Sequence, residues 1–180
     1  NLGYKGYSLK SLHHLGLPVP EGFVLSTELF NLRPALDYPD LQTDVRERVV
    51  AAVRELEERT GRRFGDADRP LLLAVRSGSA FSMPGAMDTI LNVGLEDQLL
   101  DCLSERPEVA WGAWDCYRRY VQNVAMSRGI SRDRFDATML RFKEHCGVQR
   151  KAEFSGDQMR ELALDYRRIV EGAGIRIHTD

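Results

Sequence analysis

Residues 71–89, LLLAVRSGSAFSMPGAMDT, run from a short apolar stretch into an arginine and then into a loop of small residues holding two glycines. That order suits phosphate chemistry. A strand fixes Arg76 at its exit, and the glycines and small side chains beyond it let backbone N–H groups approach an anion closely. Near the start of the chain, Gly3-Tyr4-Lys5-Gly6 sets a second cation between glycines, just before a helix-like stretch. The arginine is a planar fork matched to paired phosphate oxygens, whereas the lysine is a compact point charge on a flexible stem.

Elements on either side must hold these groups. Leu9, Leu12 and Leu15 recur every three positions before Gly16, which predicts a helix from Tyr7 to Leu15 with a glycine cap. Phe23-Val24-Leu25 reads as a strand, and Ser26-Thr27 as the cap of a helix that stops near Pro34. Between Leu41 and Arg59 an apolar stripe through Val45, Val49, Val53 and Leu56 predicts a helix closed by Gly61. Leu71 to Val75 is a buried strand candidate, and Thr89 to Val93 a second strand.

After Leu95 the pattern turns helical. Helices are predicted over Asp97–Glu105, from Pro107 to Arg128, from a Ser131 cap to Gly147, and from a Ser155…Gln158 capping box to Gly172. The fold class is therefore α/β (α+β), with an α/β part over residues 1–95 and an all-helical subdomain over 96–180.

Composition limits the function. A chain of 180 residues that is 43% hydrophobic buries roughly 70% of its unfolded surface, enough for a packed core. Its net charge of −2 gives no general attraction to nucleic acid or to an anionic membrane, so an anion site must be local. Cys102, Cys116 and Cys146 lack paired spacing, which fits a reducing compartment and a cytoplasmic location. No stretch approaches the roughly 20 apolar residues of a membrane span, and no basic-then-apolar leader precedes the first motif. The chain begins at Asn1, close to the Gly-Lys-Gly element, and is expected to be a piece of a longer polypeptide or a trimmed product.

The common nucleotide motifs do not occur. Neither G-x-x-x-x-G-K-[ST] nor G-x-G-x-x-G is present, and H-E-x-x-H, C-x-x-C and G-x-S-x-G are also missing, so P-loop, Rossmann, zinc and serine-hydrolase chemistry have no anchor. Each singled-out residue also has a plainer use. Lys5 would serve as a solvated helix-start lysine, Arg76 as a surface ion-pair partner, Asp88 and Thr89 as an Asx-type turn, and Met83 and Met87 as core filler. The Trp111, Trp114, Tyr117 and Tyr120 group reads as helical packing, and Arg118-Arg119 and Arg167-Arg168 as solvated faces or domain contacts.

Taken in order, Gly3-Tyr4-Lys5-Gly6, the Gly16-to-Phe23 segment, Phe64-Gly65-Asp66, Val75-Arg76-Ser77-Gly78, Ser82-Met83-Pro84-Gly85-Ala86-Met87-Asp88-Thr89 and Tyr117-Arg118-Arg119-Tyr120 resemble the amino-terminal nucleotide-binding region of the pyruvate, phosphate dikinase family. The V-R-S core is shared with phosphoenolpyruvate synthase and other water dikinases, whereas the S-M-P-G-x-M-D-T continuation points to the phosphate-using enzymes. The resemblance implies a partial ATP-grasp-like domain with a mixed sheet. It also implies phosphoryl transfer from ATP to pyruvate through a histidine on a separate swivelling domain, and allows a homodimeric parent.

Carried over by position, Lys5 and Arg76 match the family's cationic contacts to the ATP phosphates, with Arg76 the catalytic candidate. Gly85, Met87, Asp88 and Thr89 match its phosphate-proximal loop. The chain departs from the family at Tyr4, where a glycine is usual, and at Ala80 and Phe81, where an arginine is frequent. The implied magnesium ligands and the phosphorylated histidine come later in the family's sequence than Asp180, so the chain alone is expected to be catalytically incomplete. Two other readings stay open: the same region of a water dikinase, and a truncated homologue serving as a non-catalytic interaction or regulatory module.

Overall fold

The computed structural model describes residues 3–26, 28, 38–77 and 89–177. These residues fall into two compact units. The first contains residues 3–26, 28 and 38–64 together with Arg76 and Ser77; the second contains 65–75 and 89–177. Among the described residues the secondary structure is mostly helical, with one small two-stranded antiparallel sheet, consistent with a partial α/β domain. No helix of the described residues is long and apolar enough to cross a membrane.

In the first unit, helix α1 spans Gly3–His14. It begins earlier than the leucine spacing suggests, so Lys5 lies inside its first turn rather than ahead of it. Gly3 makes this possible: its φ of +67° is a left-handed value that costs glycine little and other residues more. Gly16, at φ +73°, turns the chain out of the helix. Leu9, Leu12 and Leu15 are exposed. Phe23, Val24 and Leu25 are exposed too and form no strand, because an apolar triplet without a neighbouring ladder leaves its backbone groups to water. The helix expected between Thr27 and Pro34 lies largely outside the described residues.

Helix α2, Pro39–Thr60, has Pro39 in its first turn and ends on Gly61 in the left-handed conformation. Leu56 is buried, while Asp44–Arg48 and Glu55–Arg59 ion pairs lie along exposed parts of its surface. Such pairs contribute only about 0.3–0.5 kcal/mol each.

In the sheet, β1 (Leu73–Arg76) pairs with β2 (Thr89–Val93). The sequence pattern suggests a buried β1; instead Leu71, just ahead of it, is buried and Ala74, Val75 and Arg76 are exposed. With a single paired neighbour, an apolar strand gains no second layer to cover it. Asn92 takes φ +61° and Gly94 φ +101°, ending β2 in a turn tied by Leu95 N–H donating to the Asn92 carbonyl at 3.2 Å.

Four helices follow: α3 (Asp97–Ser104), α4 (Pro107–Ser127), α5 (Arg132–Cys146) and α6 (Gly156–Glu171). Helix α4 is central and packs against α6, β2 and α3. Its Trp114, Tyr117, Val121 and Ala125 meet Met159, Leu162, Tyr166 and Val170 of α6 in one core, joined by Leu95, Leu99, Phe135, Phe142 and Phe154. Each large side chain fully removed from water there contributes about 1.5–3 kcal/mol. The Tyr166 hydroxyl donates to the Phe135 carbonyl at 2.9 Å, satisfying its polar end inside the core. The caps are those read from the sequence. Ser131 Oγ accepts from Asp133 N–H, and Ser155 and Gln158 form a reciprocal capping box.

Candidate functional site

The first turn of α1 and the exit of β1 meet through one side chain. Lys5 Nζ donates to the carbonyl of Ser77 at 2.8 Å, across 72 positions of sequence. Ser77 follows Arg76, and all three residues belong to the first unit. The ammonium is thereby fixed beside the residue that carries the guanidinium.

Charge makes this arrangement notable. The acceptor for Lys5 is a neutral carbonyl, not a carboxylate, so this bond brings no negative charge to the ammonium. Arg76 is exposed and forms no ion pair among the described residues. Two cations without an ion-pair partner among the described residues, on neighbouring stretches of backbone, suit an anion, and an arginine fork beside a lysine point charge matches oxygens spread over consecutive phosphates.

Of the other residues matched to the phosphate loop, Thr89 opens β2 and is half-buried. Gly85, Met87 and Asp88 lie outside the described residues, as do Ala80 and Phe81. Among the described residues no group of three His, Cys, Asp or Glu side chains is arranged to hold a metal ion. His14 Nδ1 lies 2.9 Å from the Lys10 carbonyl, and His145 lines a groove of about 430 Å³ between α5 and α6 with Glu161 and Asp165. His178 lies outside the described residues.

The helical unit contains a charged cluster that the sequence pattern does not announce. Arg118, read from the sequence as a solvated or domain-contact residue, is only 6% exposed. Its Nε and Nη2 donate to Asp115 Oδ1 at 3.0 and 2.8 Å, and Lys151 Nζ donates to Asp115 Oδ2 at 2.8 Å. The Arg118 guanidinium also lies over the Tyr166 ring, 5.2 Å from its centre. Burial pushes the Asp115 carboxyl up, but the hydrogen bonds and charges of Lys151 and Arg118 outweigh it and hold the group below its ordinary value.

A second cluster joins α3 to α6. Arg167 donates to Asp97 at 3.0 Å and to Glu171 at 2.6 Å. The neighbouring Tyr117 hydroxyl is pushed up to about 12, chiefly by burial. The Tyr117-Arg118-Arg119-Tyr120 motif is thus largely part of the core: Tyr117 is fully buried and Tyr120 half-buried. The available signal was spacing, since Asp115 and Arg118 lie three apart on a helix whose apolar stripe runs through Trp114, Tyr117 and Val121.

Known proteins bear on the same residues. A family model described as pyruvate phosphate dikinase, AMP/ATP-binding domain, matches residues 31–168, a span that contains Arg76 and Thr89 but not Lys5. Pyruvate, phosphate dikinase of Rhizobium meliloti (strain 1021) is 38% identical over 175 residues, covering 94% of this chain and 19% of that protein. The Giardia intestinalis enzyme of the same name is 37% identical over 174 residues, 96% of this chain and 19% of the relative. That of Clostridium symbiosum is 34% identical over 179 residues, again 96% of this chain and 20% of the relative. The chain spans about a fifth of the length of these curated relatives. With more than a third of its residues shared along nearly its whole length, and a family match spanning both the β1 exit and most of the helical unit, the chain belongs to the pyruvate phosphate dikinase AMP/ATP-binding domain family.

Proposed function

We propose that this chain is the ATP-binding part of a pyruvate, phosphate dikinase, an enzyme that interconverts ATP, phosphate and pyruvate with AMP, diphosphate and phosphoenolpyruvate through a phosphohistidine. The observation that carries this reading is the 2.8 Å bond from Lys5 Nζ to the Ser77 carbonyl, beside Arg76. Phosphoryl transfer needs little covalent chemistry from the protein and a great deal of positioned positive charge.

In this reading Arg76 grips the oxygens of the transferring phosphoryl group and Lys5 neutralises the adjoining phosphate. By their match to the family's phosphate-proximal loop, Gly85, Met87, Asp88 and Thr89 are assigned to phosphate binding as well. Magnesium, when bound beside ATP phosphates, supplies further neutralising charge. Its acidic ligands are assigned, by the family resemblance, to a later part of the parent polypeptide. The phosphohistidine domain of the same parent is the partner, in a cytoplasmic enzyme with an ATP-grasp-like architecture.

The test is an assay of the parent polypeptide for ATP-to-AMP conversion with pyruvate, with and without inorganic phosphate. Turnover is expected only with phosphate present and with diphosphate released. Equal turnover without phosphate would assign the chain to a water dikinase, and no turnover under either condition would favour the non-catalytic homologue.

A further inference from the structure

We infer that the backbone carbonyl of Ser77 is a positioning group: it holds the Lys5 ammonium in place before nucleotide arrives and keeps that bond when the phosphates bind. This rests on the nucleotide-binding reading above. An ammonium has three N–H donors. One is taken by Ser77 at 2.8 Å, which leaves two for phosphate oxygens. A lysine free on its stem must give up rotamer freedom when it binds a ligand, whereas one already tied at its tip has done so. The carbonyl also achieves this without cancelling charge, which a carboxylate partner would do. Because Ser77 is bonded to Arg76, the same contact holds the ammonium beside the stretch of backbone from which the guanidinium extends.

The chain is well suited to a direct measurement because it has four lysines, Lys5, Lys10, Lys143 and Lys151. In an ammonium-selective nitrogen-15 NMR spectrum of the nucleotide-free chain, Lys5 is expected to give a slowly exchanging signal, identified by its loss in Lys5→Arg. Lys151, held by Asp115, supplies a second protected signal, and exposed Lys10 a fast-exchanging one. Converting the amide that follows Ser77 to an ester weakens the carbonyl as an acceptor. It should speed Lys5 exchange, leave Lys151 unchanged, and weaken ATP binding roughly tenfold in a titration read on the Lys5 signal.

A Lys5 ammonium that exchanges as fast as that of Lys10 would overturn the inference. So would an ester that releases Lys5 yet leaves ATP affinity intact. An unaltered chain in which ATP moves neither Lys5 nor any other signal would instead sink the nucleotide-binding reading, a failure visible without the ester.

Discussion

Arg76→Ala is expected to lower phosphorylation of the parent polypeptide by ATP about 10³-fold, the low end of what a positioned arginine contributes to phosphoryl transfer, while leaving pyruvate binding unchanged. In the proposed role the transferring group carries its charge on peripheral oxygens, to which a guanidinium can present two parallel donors. Alanine removes both donors and the charge. Arg76 lies at the exposed exit of β1 and forms no ion pair among the described residues, so its loss disturbs no described salt bridge. Arg76→Lys restores the charge but not the fork and should recover only a minor part of the rate. Rates of phosphoenzyme formation, measured beside pyruvate affinity, check this; equal losses in both would remove Arg76 from the transfer step.

The largest stability effect is expected at Asp115. Asp115→Asn leaves Arg118 and Lys151 without their shared carboxylate, and breaking a buried pair from one side costs about 3–5 kcal/mol. For a domain of this size that corresponds to a fall in Tm of about 6–20 °C. Removing the Arg118 charge as well, in Asp115→Asn with Arg118→Met, should restore part of the loss, because the uncompensated buried cation is then gone.

The pH dependence has a definite sign. Asp115 is held below its ordinary value of 3.8 in the folded chain, so it binds its proton more readily when unfolded. Its contribution is complete above that ordinary value and is lost as pH falls through the folded one. Denaturant melts between pH 6 and pH 2 should therefore show an acid-sensitive component in the native chain that is reduced in Asp115→Asn. The reverse slope would contradict the assigned ion cluster.

Much of the helical unit was legible in the sequence because its signals are local. Ser155 and Gln158 satisfy each other's backbone within one turn, Gly147 closes α5 with a left-handed φ, and the stripe of α4 is set by its own periodicity. These need no distant partner. The first unit was read less well, and the reason is physical. Phe23-Val24-Leu25 has strand composition, but a strand exists only where another edge accepts its hydrogen bonds. Leu9, Leu12 and Leu15 have core spacing, yet they stay exposed. Arg118 departs from the solvated face expected of it because Asp115 offsets its charge in the interior, a carboxylate that it shares with Lys151 and that only the fold brings to both.

The candidate site divides along the same line. Arg76 at a strand exit and Lys5 near a helix start follow from local pattern, and Thr89 does open β2 as its β-branched neighbours suggest. That the ammonium reaches the Ser77 carbonyl could not be read from pattern, since it depends on closing 72 residues of chain onto one hydrogen bond. Gly85, Met87 and Asp88 rest on the family resemblance.

The most direct measurement is an experimental structure of the parent polypeptide with a non-hydrolysable ATP analogue. The expected result places Lys5 Nζ and the Arg76 guanidinium both within about 2.7–3.2 Å of oxygens on the same triphosphate. A triphosphate that meets only one of these cations, or neither, would contradict their joint role.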